Sequence, residues 1–398
     1  MTVSQVRQQL IGGRFMTAET ADLQIARWRE QTGGPQETAG AELIGWLVEQ
    51  GSLTGFQGDA LRAGYTGPFM LGPYRVFERM AVGRLGDIYR AVHEELHQPV
   101  SLKVFPSSLK DDREALARMN REVRVSIELD HPHVVRTFQI GRVGEIYFLA
   151  LQDLQGETLQ DRLRREGALP YPDACRLIRD AALGLAHFHE KGLVHRDVCP
   201  RNMWITTGGL LKIMEFGAVG DTLGLLAASG EDEHPTTTDT VLGTFDYMAP
   251  EQAKDAHAAD HRSDLYSLGC TLFHCLTGRP PFVETNPLRL MMRHATEAPP
   301  PLTDLVPEIP PALAEAVDGM LAKSPQKRFQ SATDVVWTLQ PHFEQTAAGA
   351  DEEDEIRGEF LAWLGSHTPP APPKPRAARS PELADFLHWL ADGRPTRY

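Results

Sequence analysis

The sequence predicts an α+β chain: a helical module first, then a small strand-rich lobe, then a larger helical lobe. Three observations carry that expectation. Through about residue 70, apolar side chains recur at helical spacing, as in Leu43, Trp46 and Leu47. From Gly72 the pattern changes to short β-type runs. Beyond Pro172 helical stripes dominate, and strands succeeded by helices favour two separate layers rather than an alternating sheet.

Within residues 1–70, Gly12-Gly13, Gly33-Gly34, Gly51 and Gly64 mark the helix stops. So small a bundle has too little core to stand comfortably alone, and it is expected to lean on the strand-rich lobe that comes after it. The β-type runs are 74–77, 88–92 and 100–104, and a helix with Leu116, Met119, Val123 and Ile127 on one face comes next. A further stripe of Leu177, Ala181, Leu185 and Phe188 stops near Gly192. The core is expected to end near Phe343, which divides the chain into 1–70, 72–343 and a tail, 344–398. The tail opens with an acidic run, 351–355, and a proline-rich stretch, 369–375, whose composition reads as linker. It also carries a repeat: Phe360-Leu361-Ala362-Trp363-Leu364 returns as Phe386-Leu387-His388-Trp389-Leu390. Each copy puts Phe, Trp and Leu on one face of a helical turn. The two copies either dock in a partner's groove or pack back on this chain's own lobes.

At 398 residues the chain suits one large domain with smaller attachments. A net charge of −14 excludes a non-specific grip on nucleic acid or on an anionic membrane surface, so neither is an expected partner. No apolar run is long enough to span a bilayer, and the N-terminus lacks a signal-peptide pattern. Four sparse cysteines, Cys175, Cys199, Cys270 and Cys275, form no Cys-x-x-Cys pair and read as thiols in a reducing compartment. A cytoplasmic location is the expectation.

Phosphoryl transfer requires a glycine-rich cover over the phosphates, a cation on them, metal ligands, and a carboxylate aimed at the nucleophile. Each part has a candidate in order along the chain. Ala81-Val82-Gly83-Arg84-Leu85-Gly86-Asp87-Ile88 lies between two β-type runs. Lys103 ends Val100-Ser101-Leu102-Lys103, and Glu122 precedes His131-Pro132 by nine residues. His195-Arg196-Asp197-Val198-Cys199-Pro200-Arg201-Asn202 is succeeded by Glu215-Phe216-Gly217. Taken together, these residues resemble the eukaryotic-like bacterial Ser/Thr protein kinases from about Gly72 to about Pro341. Three later strings strengthen the resemblance: 243–252 (Gly-Thr-Phe-Asp-Tyr-Met-Ala-Pro-Glu-Gln), 264–269 and 323–329.

The resemblance implies a two-lobed kinase fold, ATP and Mg²⁺ as cofactors, and protein hydroxyls as substrates. It makes Asp197 the carboxylate on the substrate hydroxyl and Lys103, held by Glu122, the cation on the phosphates. Asn202 and Glu215 become the metal ligands. Gly83, Gly86, Ile88, Ser101, Gln152, Leu154 and Trp204 surround the nucleotide. It also implies a structural Glu251–Arg328 ion pair, and regulation through Arg196 by a phosphate on the segment holding Thr236–Thr240.

Four departures from the kinase pattern fall in that site. Ala81 replaces the first glycine of the cover, and Cys199 stands where a lysine would. Arg201 either supplies the missing cation, as the equivalent arginine does in tyrosine kinases, or faces solvent. Glu215 is one methylene longer than the usual Asp, and Mg²⁺ tolerates little displacement of a ligand. Trp204 overfills a leucine-sized slot beneath the base unless it turns into the lobe core. Two functions therefore stand: a Ser/Thr kinase of reduced activity, or a pseudokinase acting as scaffold or allosteric regulator. His257 and His261, four apart, lack a third ligand and do not make a metal site.

Overall fold

The computed structural model describes residues 1–33, 37–65, 69–81, 86–105, 127, 129–214, 245–254 and 259–343. Gly83, Glu122, Glu215, Thr236–Thr240, His257 and both tail repeats lie outside these residues, as does the predicted 116–127 helix except for Ile127. The described residues divide into two compact units. One draws on Met1–Ala117 with Phe138–Asp153, the other on Arg118–Thr137 with Leu154–Glu353.

In the first unit, α1 (Val3–Gly12), α2 (Ala18–Thr32), α3 (Gly40–Glu49) and α4 (Gly55–Arg62) form the helical module. Thr2, Thr17 and Thr54 cap α1, α2 and α4 through their hydroxyls. Gly13 and Gly33 come directly after α1 and α2, where stops were expected. Leu10, Trp28, Leu43, Leu47 and Leu61 make the module's own small core.

The sheet comprises β1 (Met70–Leu71), β2 (Tyr74–Ala81), β3 (Asp87–His93), β4 (Pro99–Val104), β5 (Thr137–Val143) and β6 (Ile146–Gln152). Its order is β1-β2-β3-β4-β6-β5. β1 and β2 join through Gly72 at φ +60°, in register Leu71 with Tyr74, a two-residue turn that glycine enters without strain. Strand alternation then sorts the side chains by face. Tyr74, Val76, Tyr89, Ala91, Val100, Leu102, Phe148 and Ala150 share one core, completed from the helical module by Ala60, Phe56, Phe15 and Tyr65. The module thus does lean on the sheet, because that face would otherwise expose its apolar residues to water.

In the second unit, β7 (Gly156–Thr158), β8 (Met203–Thr206) and β9 (Leu211–Ile213) make a small sheet in that order. Around it are α5 (Leu159–Glu166), α6 (Tyr171–Glu190), α7 (Pro250–Lys254), α8 (His261–Thr277), α9 (Pro287–Thr296), α10 (Leu302–Leu305), α11 (Pro311–Met320) and α12 (Ala332–Leu339). Leu177, Ala181 and Leu185 of α6 enter the main core with Leu265, Leu268 and Leu272 of α8. Phe188, from the same predicted stripe, packs in a separate cluster with Leu129 and Val134. Phe343 is the last described core residue.

His294 of α9 illustrates how dry this lobe is. It is 1% exposed, accepts or donates at Nδ1 to the Tyr266 hydroxyl at 2.9 Å, and meets Phe282 edge-on. Burial, with the Lys323 cation nearby, lowers its pKa to about 3. An unfolded histidine takes a proton near 6.5, so the wild type loses stability as pH falls from there towards 3. His294→Gln, compared with wild type by urea unfolding, should be the less stable at pH 7.5. That deficit should shrink by about 2 kcal/mol by pH 5. An unchanged gap would mean that His294 is not held neutral.

Candidate active site

The 195–202 loop hangs from a single buried carboxylate. Asp264, in the first turn of α8 and 1% exposed, accepts from the backbone N–H of His195 at 2.9 Å and of Arg196 at 2.7 Å. His189 Nε2 lies 2.8 Å from the same carboxylate. His195 Nε2 meets the Met214 carbonyl at 2.9 Å. The Met214 N–H in turn donates to the Asn202 carbonyl at 2.9 Å. The strand end before Glu215 is therefore tied to the loop through both its amide and its carbonyl. This geometry holds Arg196 at φ +64°, a left-handed conformation, and its Nε is buried without a hydrogen-bond partner among the described residues.

Within the loop, the Asn202 side-chain amide donates to Asp197 Oδ2 and to the Asp197 carbonyl, both at 2.8 Å. That commits the amide nitrogen and leaves Oδ1 as the atom able to face a cation. Arg201 Nη2 lies 3.6 Å from Asp197 Oδ1, so its guanidinium turns toward the carboxylate. Cys199 is 1% exposed and belongs to the lobe core. Burial, then the Asp197 charge, pushes its thiol up to about 12, so it is neutral at physiological pH.

Trp204 occupies the middle of β8. Met203 and Ile205 on either side enter the main core, while Trp204, 4% exposed, lies on the other face of the strand. The alternative in which the indole turns into the lobe core is therefore not the one adopted. Its Nε1–H is buried with no partner among the described residues. Leu154 is buried at 1% exposure.

In the first unit, Lys103 pairs in register with Ile88 and Leu149, and Ser101 with Leu151. All five are buried, yet none belongs to the core shared with the helical module. Alternation thus gathers Ile88, Ser101 and Lys103 on the opposite sheet face. Lys103 Nζ lies 5.7 Å from the centre of the Phe105 ring. Gln152 closes β6 opposite Val100. Gly86 has φ +130°, and a Cβ there would stand 2.2 Å from the Val104 carbonyl oxygen, so only glycine fits.

Three supporting residues were not singled out in the sequence. Gln252 donates to the Arg196 carbonyl at 3.0 Å and accepts from Ala249 N–H at 3.0 Å. Its place just after the Ala-Pro-Glu string was the available signal. His189 was readable only as a polar end to a helical stripe. Asp246 is raised to about 6 by burial, which the Arg201 charge partly offsets. Conversely, His261 Nε2 is engaged with the Gln330 carbonyl at 2.9 Å.

Residues 74–338 match the family described as the protein kinase domain. The chain belongs to that family. Among curated relatives, it is 31% identical over 274 residues to serine/threonine-protein kinase PknB of Mycobacterium leprae (strain TN), covering 68% of this chain and 43% of that one. It is 33% identical over 306 residues to serine/threonine-protein kinase PknH of Mycobacterium tuberculosis (strain ATCC 25618 / H37Rv), covering 77% of this chain and 46% of that one. The chain thus spans less than half the length of these relatives. The solved PknI kinase domain of Mycobacterium tuberculosis has a similar fold, with a TM-score of 0.53 at 24% identity, over 69% of this chain and 97% of that one. The fold is the two-lobed kinase fold, with helices preceding it. Among the described residues, no helix is long and apolar enough to cross a membrane.

Proposed function

We propose that the chain is an ATP- and Mg²⁺-dependent Ser/Thr protein kinase that transfers the γ-phosphate to protein hydroxyls. The observation that carries this reading is the Asp197 carboxylate, held by Asn202 and by a backbone fixed on Asp264, with Arg201 beside it. Mg²⁺-ATP supplies the transferable phosphoryl group and part of the charge neutralisation. Asp197 accepts the substrate hydroxyl's hydrogen bond and orients its oxygen. Asn202, through Oδ1, and Glu215 would hold the metal. Lys103, with Glu122 as its partner, would hold the phosphates, and Gly83 and Gly86 would let the cover approach them. Ile88, Ser101, Gln152, Leu154 and Trp204 would be the residues that contact the base.

Arg201 takes the place of the lysine that Cys199 removes. Its distance from Asp197 supports this, as does the burial of the Cys199 thiol in the lobe core. Arg201→Ala should lower the rate of transfer about 100-fold, as loss of one charge-stabilising donor does, with ATP affinity changed far less. An unchanged rate in single-turnover assays would remove Arg201 from the mechanism. We also place the protein in the cytoplasm, where its four buried, unpaired thiols would stay reduced.

Thermal-shift titration of the full chain with ATP, with and without Mg²⁺, tests the central reading. Ligand binding to the folded state should raise the melting temperature with Mg²⁺-ATP. No shift under either condition would overturn nucleotide binding, and a shift without detectable γ-phosphate transfer would leave a pseudokinase.

A further inference from the structure

The N-terminal module does more than cover an apolar sheet face. Along β2, the pairing with β3 shifts register between Val76, opposite Ala91, and Glu78, opposite Arg90. Phe77 is therefore an extra residue, a bulge. On the other edge, β1 runs out at the same level: Val76 N–H donates to the Phe69 carbonyl at 2.8 Å, and β1 pairs only as far as Arg75. The carbonyls of Val76 and Phe77 thus fall where the sheet offers β2 no further strand among the described residues.

The first turn of α4 meets both. Gln57 Nε2 donates to the Val76 carbonyl at 3.3 Å, and the Thr54 hydroxyl donates to the Phe77 carbonyl. The same two side chains form the capping box of α4: Thr54 Oγ1 accepts from Gln57 N–H at 3.2 Å, and Gln57 Oε1 accepts from Thr54 N–H at 3.1 Å. Gln57 is 5% exposed, so its amide has no competing water. A cavity of about 110 Å³, lined by Thr54, Gln57, Phe69 and Phe77 among others, lies beside the bulge. At the bulge the two hydrogen bonds therefore add a directional restraint to the packing of Val76 in the shared core.

We propose that Thr54 and Gln57 are positioning residues for the glycine-rich turn: by holding the β2 bulge, the N-terminal module sets the path of the strand that leads to residues 81–88. This deepens the proposed function and rests on reading that turn as the cover over the phosphates. A bulge bends and twists its strand, so a change at Phe77 alters the path of β2 at Glu78 and Arg79, ahead of a second register shift between Arg79 and Ala81.

The test uses the full chain with Thr54→Val plus Gln57→Met, each single variant, and Thr54→Ser as the conservative control. Amide hydrogen exchange in 78–81 and 86–93 should quicken at least tenfold in the double variant, with 3–12 and 40–49 unchanged. The dissociation constant for Mg²⁺-ATP should rise about tenfold while kcat stays within about twofold. Thr54→Ser should behave as wild type. Unchanged exchange in 78–93, or equal quickening throughout the module, overturns the proposal and leaves the pair as ordinary helix caps. Localised exchange with unaltered ATP affinity overturns it too. A wild type that binds no ATP would sink the kinase reading alone, because the exchange pattern still decides whether the module holds β2. If the double variant does not fold, Gln57→Met alone removes the Val76 bond and decides by the same readouts.

Discussion

Asp197→Asn should lower γ-phosphate transfer by about 10²–10⁴-fold, while Mg²⁺-ATP binding and the fold persist. The substitution is nearly isosteric, but it reverses the hydrogen-bond chemistry on one side of the group. Asp197 Oδ2 now accepts from Asn202 Nδ2 at 2.8 Å, and Oδ1 faces Arg201 at 3.6 Å. A carboxamide has one acceptor atom for these two donors. Either its NH₂ confronts the Asn202 amide, or it confronts the Arg201 guanidinium. The substrate hydroxyl also loses the anion to which it would donate. The backbone amides of His195 and Arg196 remain on Asp264, so the loop keeps its shape. The measurements are single-turnover transfer and an ATP thermal shift on the same preparation. Full transfer activity in the variant would show that Asp197 is not the residue orienting the nucleophile.

How far this site was readable from sequence depended on whether its determinants were local. Lys103 was placed by the resemblance of Val100-Ser101-Leu102-Lys103 to a kinase strand, and the structure puts it on the face opposite the core that Val100, Leu102 and Val104 enter. Asp197 and Asn202 could be placed because one short loop carries both. The string at Asp264 was recognisable, but the three donors that Asp264 collects come from residues 68 to 75 positions away. Gln252 and Asp246 act across comparable gaps, and no periodicity reports such contacts. The Thr54-x-x-Gln57 capping box is a local motif, yet its second task depends on a β-bulge at Phe77, about twenty residues on, and nothing local reports that. Trp204 was ambiguous for a different reason. Its size conflicted with the slot, and its face follows only from the burial of its strand neighbours Met203 and Ile205 in the main core.

Arg328→Met should destabilise the helical lobe by about 3–5 kcal/mol, because it strands a carboxylate rather than merely removing a contact. The Arg328 guanidinium is fully enclosed, with 0% side-chain exposure. It makes a bidentate pair with Glu251, 2.6 Å to Oε1 and 2.8 Å to Oε2. It also donates to the carbonyls of Ala322 at 2.7 Å, Arg262 at 2.9 Å and Lys323 at 3.2 Å, and lies over the Tyr266 ring. Methionine fills comparable apolar volume but satisfies none of these acceptors. Burial would raise the Glu251 pKa, but the Arg328 hydrogen bonds and charge, helped by Ser263, outweigh it and hold the carboxyl below its ordinary range. A carboxyl held low contributes stability above its unfolded value, and that stability is lost as pH falls through the folded one. Wild type should therefore lose this contribution on acidification below about pH 4.5, whereas Arg328→Met lacks it at every pH. Glu251→Gln in the Arg328→Met background removes the stranded charge and should restore part of the loss. Urea unfolding of wild type, Arg328→Met, Glu251→Gln and the double variant at pH 7 gives the coupling energy directly. A coupling near zero would mean that the pair is held in place by the surrounding fold without stabilising it.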